Sequence, residues 1–367
     1  MLAHLRATLW LFILTVVICC VLYPAVLWGI GQTVFRNQAQ GSLIQGPDGK
    51  PVGSALIAQN FTSAAYFQPR PSSVSYNASA SGGSNLAASN PKLRGRVAQM
   101  LGPIVLYSKE GDHKGAPVST DIEEWFKSKT KDNSGFANDW VAANPTLAQG
   151  WATSSDPIKA YINEWAKAHP GVVEEWKKAN ADVKKDPGPD DLVVFFFQSY
   201  LKEHPGTWPV QTQETDQDGK QTTVIKPDKA GSDIQSMFFD MWLTEQVKSK
   251  KLDPRTDLEQ VPADLVTTSG SGLDPDITLR NAKYQSDGVV AANVQNIVAA
   301  YEKDSAKQKA TPEQIAAVTD ELRKEIDGLL SQTASRPLFG LSGDEPLINV
   351  LQVNLALKAK VDALKIK

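Results

Sequence analysis

The sequence has few of the residues on which self-contained catalysis and covalent cross-linking depend. Cysteine occurs twice in 367 residues, at Cys19 and Cys20, both inside one apolar run. The rest of the chain therefore has no disulfide, zinc–thiolate cluster or thiol nucleophile. An oxidising compartment stays open, because a lack of cysteine is compatible with either side of a membrane. Histidine occurs four times, at His4, His113, His169 and His204. His4 abuts the apolar run. His169 and His204 each precede a proline, a position that suits a helix C-terminus better than a ligand. Neither sign of charge dominates, with 38 Lys and Arg against 41 Asp and Glu and no dense basic block. That balance argues against nucleic acid or an anionic surface as partner. With 41% hydrophobic and 22% charged residues the composition is globular.

One stretch lacks charge altogether. Ala7 to Phe35 is bracketed by Arg6 and Arg36, and at ~1.5 Å per residue it exceeds a hydrocarbon core of ~30 Å. Trp10 and Trp28 lie 18 residues apart, roughly 27 Å along a helix, which suits two interfacial anchors. Pro24 is expected to kink the outer end. A cleaved signal peptide would have a shorter apolar region and a small-x-small site; Gly29-Ile30-Gly31 is a poor one. Cys19 follows Ile18, against a lipoprotein. Residues 1–36 thus read as an uncleaved anchor with the N-terminus inside, although the basic bias across the helix is slight.

Beyond the anchor the chain changes character twice. Residues 37–102 are rich in Ser, Asn, Gly and Ala. They hold the turn Gly46-Pro47-Asp48-Gly49, a possible strand over Ser54–Ile57, and Asn90-Pro91 as a helix start. Residues 103–258 hold seven of the nine tryptophans. An aromatic-x3-Asn/His-Pro pattern recurs there, from Trp140 to Pro145, Trp165 to Pro170 and Tyr200 to Pro205. It reads as helices whose last turn carries the aromatic and which proline stops. Ile234, Met237, Phe238, Met241 and Trp242 form a helical stripe, and Thr222–Ile225 a possible strand. Residues 259–367 return to a mixed pattern. Asp264–Thr267 and Leu347–Val353 suggest strands, Thr278–Tyr301 a helix, and Leu355 to Val361 a short one. Thr311-Pro312-Glu313-Gln314 is a capping box opening a helix with Ile315, Val318, Leu322, Ile326 and Leu329 on its apolar face. The expected class is α+β: one transmembrane helix and a mixed α/β extracytoplasmic domain, interrupted by a mainly helical, Trp-rich insertion.

The motifs outside that insertion admit two readings each. Arg70, in Phe67-Gln68-Pro69-Arg70-Pro71-Ser72, suits a carboxylate, a phosphate or a partner carbonyl, or the carbonyls of its own loop. Ala80-Ser81-Gly82-Gly83-Ser84-Asn85 could offer backbone N–H groups to a phosphate, but it lacks the lysine and the strand–loop–helix setting of a P-loop. It reads more simply as a structural turn. In Gly270 to Asp276 two carboxylates lie close together; Asp276 is expected to cap the next helix and Asp274 to fix the turn before Pro275. No histidine accompanies Ser81 or Ser84 in the segments flanking the bundle.

Taken in order, these pieces resemble one family. They are Gly41 to Ile44, Gly53 to Phe61, Tyr66-Phe67, Arg70 to Ser72, Tyr76-Asn77, Ala80 to Asn85 and Ser89-Asn90-Pro91. Far downstream follow Val261-Pro262, Leu265 to Thr267, Ser269 to Pro275, Tyr284-Gln285, Asn349 to Leu351 and Leu355 to Leu357. The set is similar to the KdpC family, the C subunit of the Kdp-type potassium-transporting P-type ATPase, over about 1–102 and 259–367. The resemblance implies a single-pass subunit of the plasma (inner) membrane. Its partners would be a channel-like potassium-binding subunit, a P-type catalytic subunit and a small one-helix subunit. It also implies a non-catalytic role in assembly, and a proposed one as a catalytic chaperone that raises the ATP affinity of the catalytic subunit. No cofactor is expected on this chain itself, and ATP only through the complex. Contact candidates for partner or nucleotide are Arg70, Tyr76, Asn77, Ser81, Gly82, Gly83, Ser84, Asn85, Asn90, Asp274 and Gln285. Two departures stand out. The family has a short linker where this chain has 103–258. Gly288 and Asn293 also occupy positions where the family carries arginine. The rival readings are a binding module that uses the Trp-rich bundle for glycan or peptide, and a serine hydrolase built on Ser81 or Ser84.

Overall fold

A computed structural model describes residues 2–46, 48–131, 135–215, 221–304, 309–336 and 345–366. The chain divides into two compact units. The first joins Met1–Ser84 to Pro262–Lys367, and the second is Asn85–Val261.

The first unit begins with a helix over His4–Thr33, long and apolar enough to cross a membrane, with mean hydropathy 2.6 over an 18-residue window. Its large apolar side chains are exposed throughout, and Trp10 and Trp28 stand near its two ends. Pro24 does not break the helix. The turn before it, Val17–Leu22, widens to π geometry, and the N–H of Tyr23 reaches back to the carbonyl of Ile18. Proline has no N–H for the usual ladder, and a wider turn absorbs that loss. A short antiparallel pair follows, Leu43–Gln45 with Pro51–Ser54. Its tight turn is closed by Gly49 N–H on the carbonyl of Gly46; Pro47 lies outside the described residues. The expected strand over Ser54–Ile57 sits earlier, because the Ser54 hydroxyl accepts the Leu56 N–H and turns the chain.

The rest of the first unit packs three helices, Leu279–Asp304, Pro312–Thr333 and Val350–Ala363, with the strand pair Asp276–Thr278 and Leu347–Asn349. Val289, Val290, Leu322, Ile326, Val353 and Leu357 share one buried cluster, which also takes Phe67. The capping box at Thr311 forms as the spacing predicts: its hydroxyl accepts Gln314 N–H, and the Gln314 side chain accepts Thr311 N–H. Two expected strands are corrected. Ala263–Val266 is a helical turn, since the Asp264 carboxylate accepts from Thr278 N–H (2.9 Å) and Asn281 Nδ2 (3.0 Å) and draws the chain round. Leu347–Val353 is strand only to Asn349, whose side chain caps the next helix by accepting Gln352 N–H. β-Branched Val350 and Val353 therefore sit on a buried helix face rather than in a sheet.

The second unit is mainly helical. Its helices run from Pro91–Leu101 to Ser232–Lys248, with one antiparallel hairpin, Trp208–Thr215 against Gln221–Asp228. Trp208 is fully buried, with ring centroids of Trp140, Trp151, Phe197 and Phe238 within 4.6–5.8 Å. Six of the seven tryptophans here are buried, and Trp165 packs partly buried against them. The aromatic-x3-Asn/His-Pro pattern has its physical explanation in the helix ends. Asn144 Nδ2 donates to the carbonyl of Trp140 (3.0 Å). His169 Nδ1 lies 2.8 Å from the Trp165 carbonyl while its ring stacks on that indole. His204 donates its backbone N–H to Tyr200. Asn180 repeats the arrangement on Trp176 without a following proline. At Trp140 and Trp176 the carbonyl also takes the main-chain N–H of the same Asn, so the carboxamide adds a second bond to the last turn, and at Trp165 the imidazole of His169 meets the carbonyl.

Candidate functional site

The motif residues of the first unit meet in two loops, 65–84 and 268–274, bonded to the Leu279–Asp304 and Val350–Ala363 helices. Segment 65–68 leaves a turn closed by Tyr66 N–H on the carbonyl of Ser63 and belongs to no sheet. Helix carboxamides take the place of a neighbouring strand. Asn293 donates to the carbonyl of Ala65 (2.8 Å). Asn354 accepts Phe67 N–H (2.8 Å) and donates to its carbonyl (2.9 Å). Gln285 does the same for Gln68, at 2.7 and 3.1 Å, and is itself held by Asn281 at 2.8 Å. Asn281, Asn293 and Asn354 are all buried, so these bonds are the amides' answer to desolvation.

Arg70 continues the segment. Its guanidinium lies 3.3 Å from the Asp274 carboxylate and donates to the carbonyl of Thr268 at 3.3 Å. Its own carbonyl accepts the hydroxyl of Tyr76 (3.0 Å), and burial pushes that phenol up from its ordinary value. Asp274 also accepts the N–H of Asp276, fixing the Pro275 turn. Asp276 does not cap the helix as expected. It pairs with Asn349 across the strands, and the Thr278 hydroxyl accepts Asn281 N–H at the helix start instead. Asn77 closes a local turn by accepting from Ser79.

The glycine turn docks on the second loop. Gly82 N–H and the Ser81 hydroxyl both donate to the carbonyl of Ser271, at 2.8 and 3.2 Å. The Ser84 hydroxyl accepts from Thr268 at 3.1 Å. Gly272 sits at φ +70°, where a Cβ would lie 2.8 Å from the Gly82 carbonyl, and a Cβ on Gly83 would lie 3.1 Å from that of Gly270. Side-chain-free backbone is what allows the loops to close on each other. Asn85, at φ +51°, and Asn90, which caps Pro91–Leu101 by accepting Lys92 N–H, belong to the second unit rather than to this constellation.

Chemically, the arrangement is a clasp. The Gly82 N–H that a phosphate cradle would need is taken by Ser271. The serines face carbonyl and hydroxyl groups, and the first unit's single histidine is His4, on the apolar helix. Among the described residues no three His, Cys, Asp or Glu side chains converge on a metal position. The carboxamides of Asn281, Asn293 and Asn354 were not among the expected site residues. Their signal was polar amides set inside apolar helix faces, as in Val353-Asn354 and Val290 to Val294.

A family model described as the c chain of the K+-transporting ATPase, KdpC, matches residues 5–124 and 237–306. Relatives named potassium-transporting ATPase KdpC subunit include one from Citrifermentans bemidjiense, 48% identical over 100 residues, covering 26% of this chain and 53% of that protein. Another, from Methanosphaerula palustris, is 53% identical over 89 residues, 24% of this chain and 48% of the relative. A third, from Parvibaculum lavamentivorans, is 44% identical over 87 residues, 24% and 46%. The chain spans about half the length of the curated relatives it matches.

Proposed function

This chain belongs to the KdpC family, and from that premise we propose that it is a non-catalytic, membrane-anchored subunit of a potassium-transporting ATPase. The observation that carries the reading is the clasp: Arg70, Ser81, Gly82 and Asp274 are bonded into a fixed surface with no nucleophile–base pair. Such a surface suits docking, and an exposed apolar helix suits packing among other membrane helices. Its partners are a channel-like potassium-binding subunit, a P-type catalytic subunit and a small one-helix subunit. The N-terminus faces the cytoplasm and the clasp lies outside it. That orientation and the occupied Gly82 N–H both favour an assembly role over direct contact with ATP.

The test is to co-express the chain with the transport subunits and purify the complex with and without it. Stable assembly and potassium-stimulated ATPase activity are expected to depend on its presence. Unchanged assembly and activity without it would overturn the reading. The two rivals fare worse. The tryptophans of the proposed binding module are core residues, and the Ser81 hydroxyl is given to the carbonyl of Ser271 while that of Ser84 meets the Thr268 hydroxyl.

A further inference from the structure

The second unit contains a cavity of about 590 Å³, within the size range of small-molecule sites. Its apolar wall is made by Tyr107, Trp125, Trp242 and Leu252, and its polar wall by Asp112, Asp121, Glu124 and Asp257 with His113 and Lys251. The loop over 108–116 folds back so that the His113 ring stacks on Tyr107 at 4.1 Å. Tyr107 gives its hydroxyl to Asp121. Asp257 is held below the usual carboxylate range, chiefly by the N–H of Asp253 and then by the Thr256 hydroxyl. Asp112 and Glu124 are exposed and have no ion-pair partner among the described residues. Four carboxylates thus face a single lysine across a wall that also offers aromatic rings.

The charge is complementary to a cation, and its spacing selects which kind. Among the described residues no three acidic or histidine side chains converge as a metal ion requires. The negative groups are spread around the cavity, beside aromatic faces that attract cations. We propose that this cavity binds a small alkylammonium ligand, its ammonium groups against Asp112, Asp121, Glu124 and Asp257 and its methylenes along Trp125, Trp242 and Leu252. The inference does not depend on the transport role of the first unit.

Isothermal titration of the full chain in detergent with spermidine tests it, with K+ and Mg2+ controls at matched ionic strength. Saturable submillimolar binding is expected for spermidine and none for the metal ions. Glu124→Gln with Asp112→Asn, both exposed and unpaired, should weaken binding by about tenfold, roughly threefold per charge. An unchanged near-ultraviolet spectrum checks that the fold survives. No saturable binding, equal binding of Mg2+, or affinity unchanged in the double variant would overturn the site. Tighter binding of a Lys-rich peptide than of spermidine would overturn the small-ligand assignment in favour of a protein partner.

Discussion

Asn354→Leu is the sharpest probe of the clasp. Asn354 is 2% exposed and Phe67 1%, and the carboxamide satisfies both backbone groups of Phe67, at 2.8 and 2.9 Å. Leucine keeps the branched four-atom outline of the side chain and suits the neighbouring apolar cluster, although its methyl groups are bulkier than the carboxamide. The cost comes from a buried N–H and a buried C=O left without partners. At ~1–2 kcal/mol for each orphaned group, the segment loses about 2–4 kcal/mol. A global unfolding midpoint is a poor readout for a chain of two units. Hydrogen exchange read by mass spectrometry over residues 63–70, on the full chain in detergent, reports the local opening directly. The expected change is roughly 30- to 700-fold faster exchange there. Lys358→Ala, one turn further along the same helix at an exposed pair with Asp362, should leave the segment unchanged. Exchange within about twofold of the parent in Asn354→Leu would refute the idea that carboxamides stand in for a strand here.

Other expectations concern single groups. Asn90→Ala removes the cap that accepts Lys92 N–H and should destabilise the Pro91–Leu101 helix by about 1 kcal/mol; unchanged exchange protection over 91–101 would contradict this. Burial raises the carboxyl of Asp233 above its ordinary value, with Gln211 N–H offsetting part of that. The folded state therefore binds more protons than the unfolded one between the two values. Stability should fall as pH rises through that window, with the full penalty above it. Asp233→Asn keeps an acceptor for Gln211 and should flatten the dependence in thermal melts of the tryptophan signal, whereas equal slopes in both proteins would count against it. A serine-reactive phosphonate should leave folded protein unlabelled, and Ser81→Ala should still co-purify with the transport subunits. Stoichiometric labelling at Ser81 or Ser84 would revive the hydrolase.

Elements that announce themselves locally were legible in the sequence. The capping box at Thr311, the Asn90-Pro91 start and the aromatic-x3-Asn/His helix ends depend on bonds within four residues, so spacing alone specifies them. What failed was long-range. Asp264 lies in a run that looks like a strand, and only Thr278 and Asn281, 14 and 17 residues away, turn it into a helical turn. The Trp208–Thr215 strand was missed because its inward positions, Trp208 and Val210, are followed by an almost wholly polar run. Its two prolines, Pro209 and Pro227, also face each other and discourage a strand reading. At the site, Arg70, Gln285 and the glycine turn could be named from their order in the chain. Their job could not, since Gln285 meets Gln68 across 217 residues and Asn354 meets Phe67 across 287.

The same distinction bears on the second unit. Composition changes at about 103 and 258, limits that bracket Trp125 to Trp242, whereas compactness changes at Asn85 and Val261. The family match runs past the compositional limits from both sides, to 124 and from 237. It therefore includes the Pro91–Leu101 helix and most of Ser232–Lys248, which pack on each other. Where that helix pair closes, Gly102 is indispensable. A Cβ there would lie 2.0 Å from the carbonyl of Gln235 and 3.1 Å from the Cβ of Phe239. Backbone cannot yield to a contact of 2.0 Å, so glycine sets how near these helices come. Phe238 and Trp242, on the helix that Gly102 admits, belong to the same buried cluster as Trp140, Trp151 and Trp208. The aromatic core is thus continuous with family-matched helices.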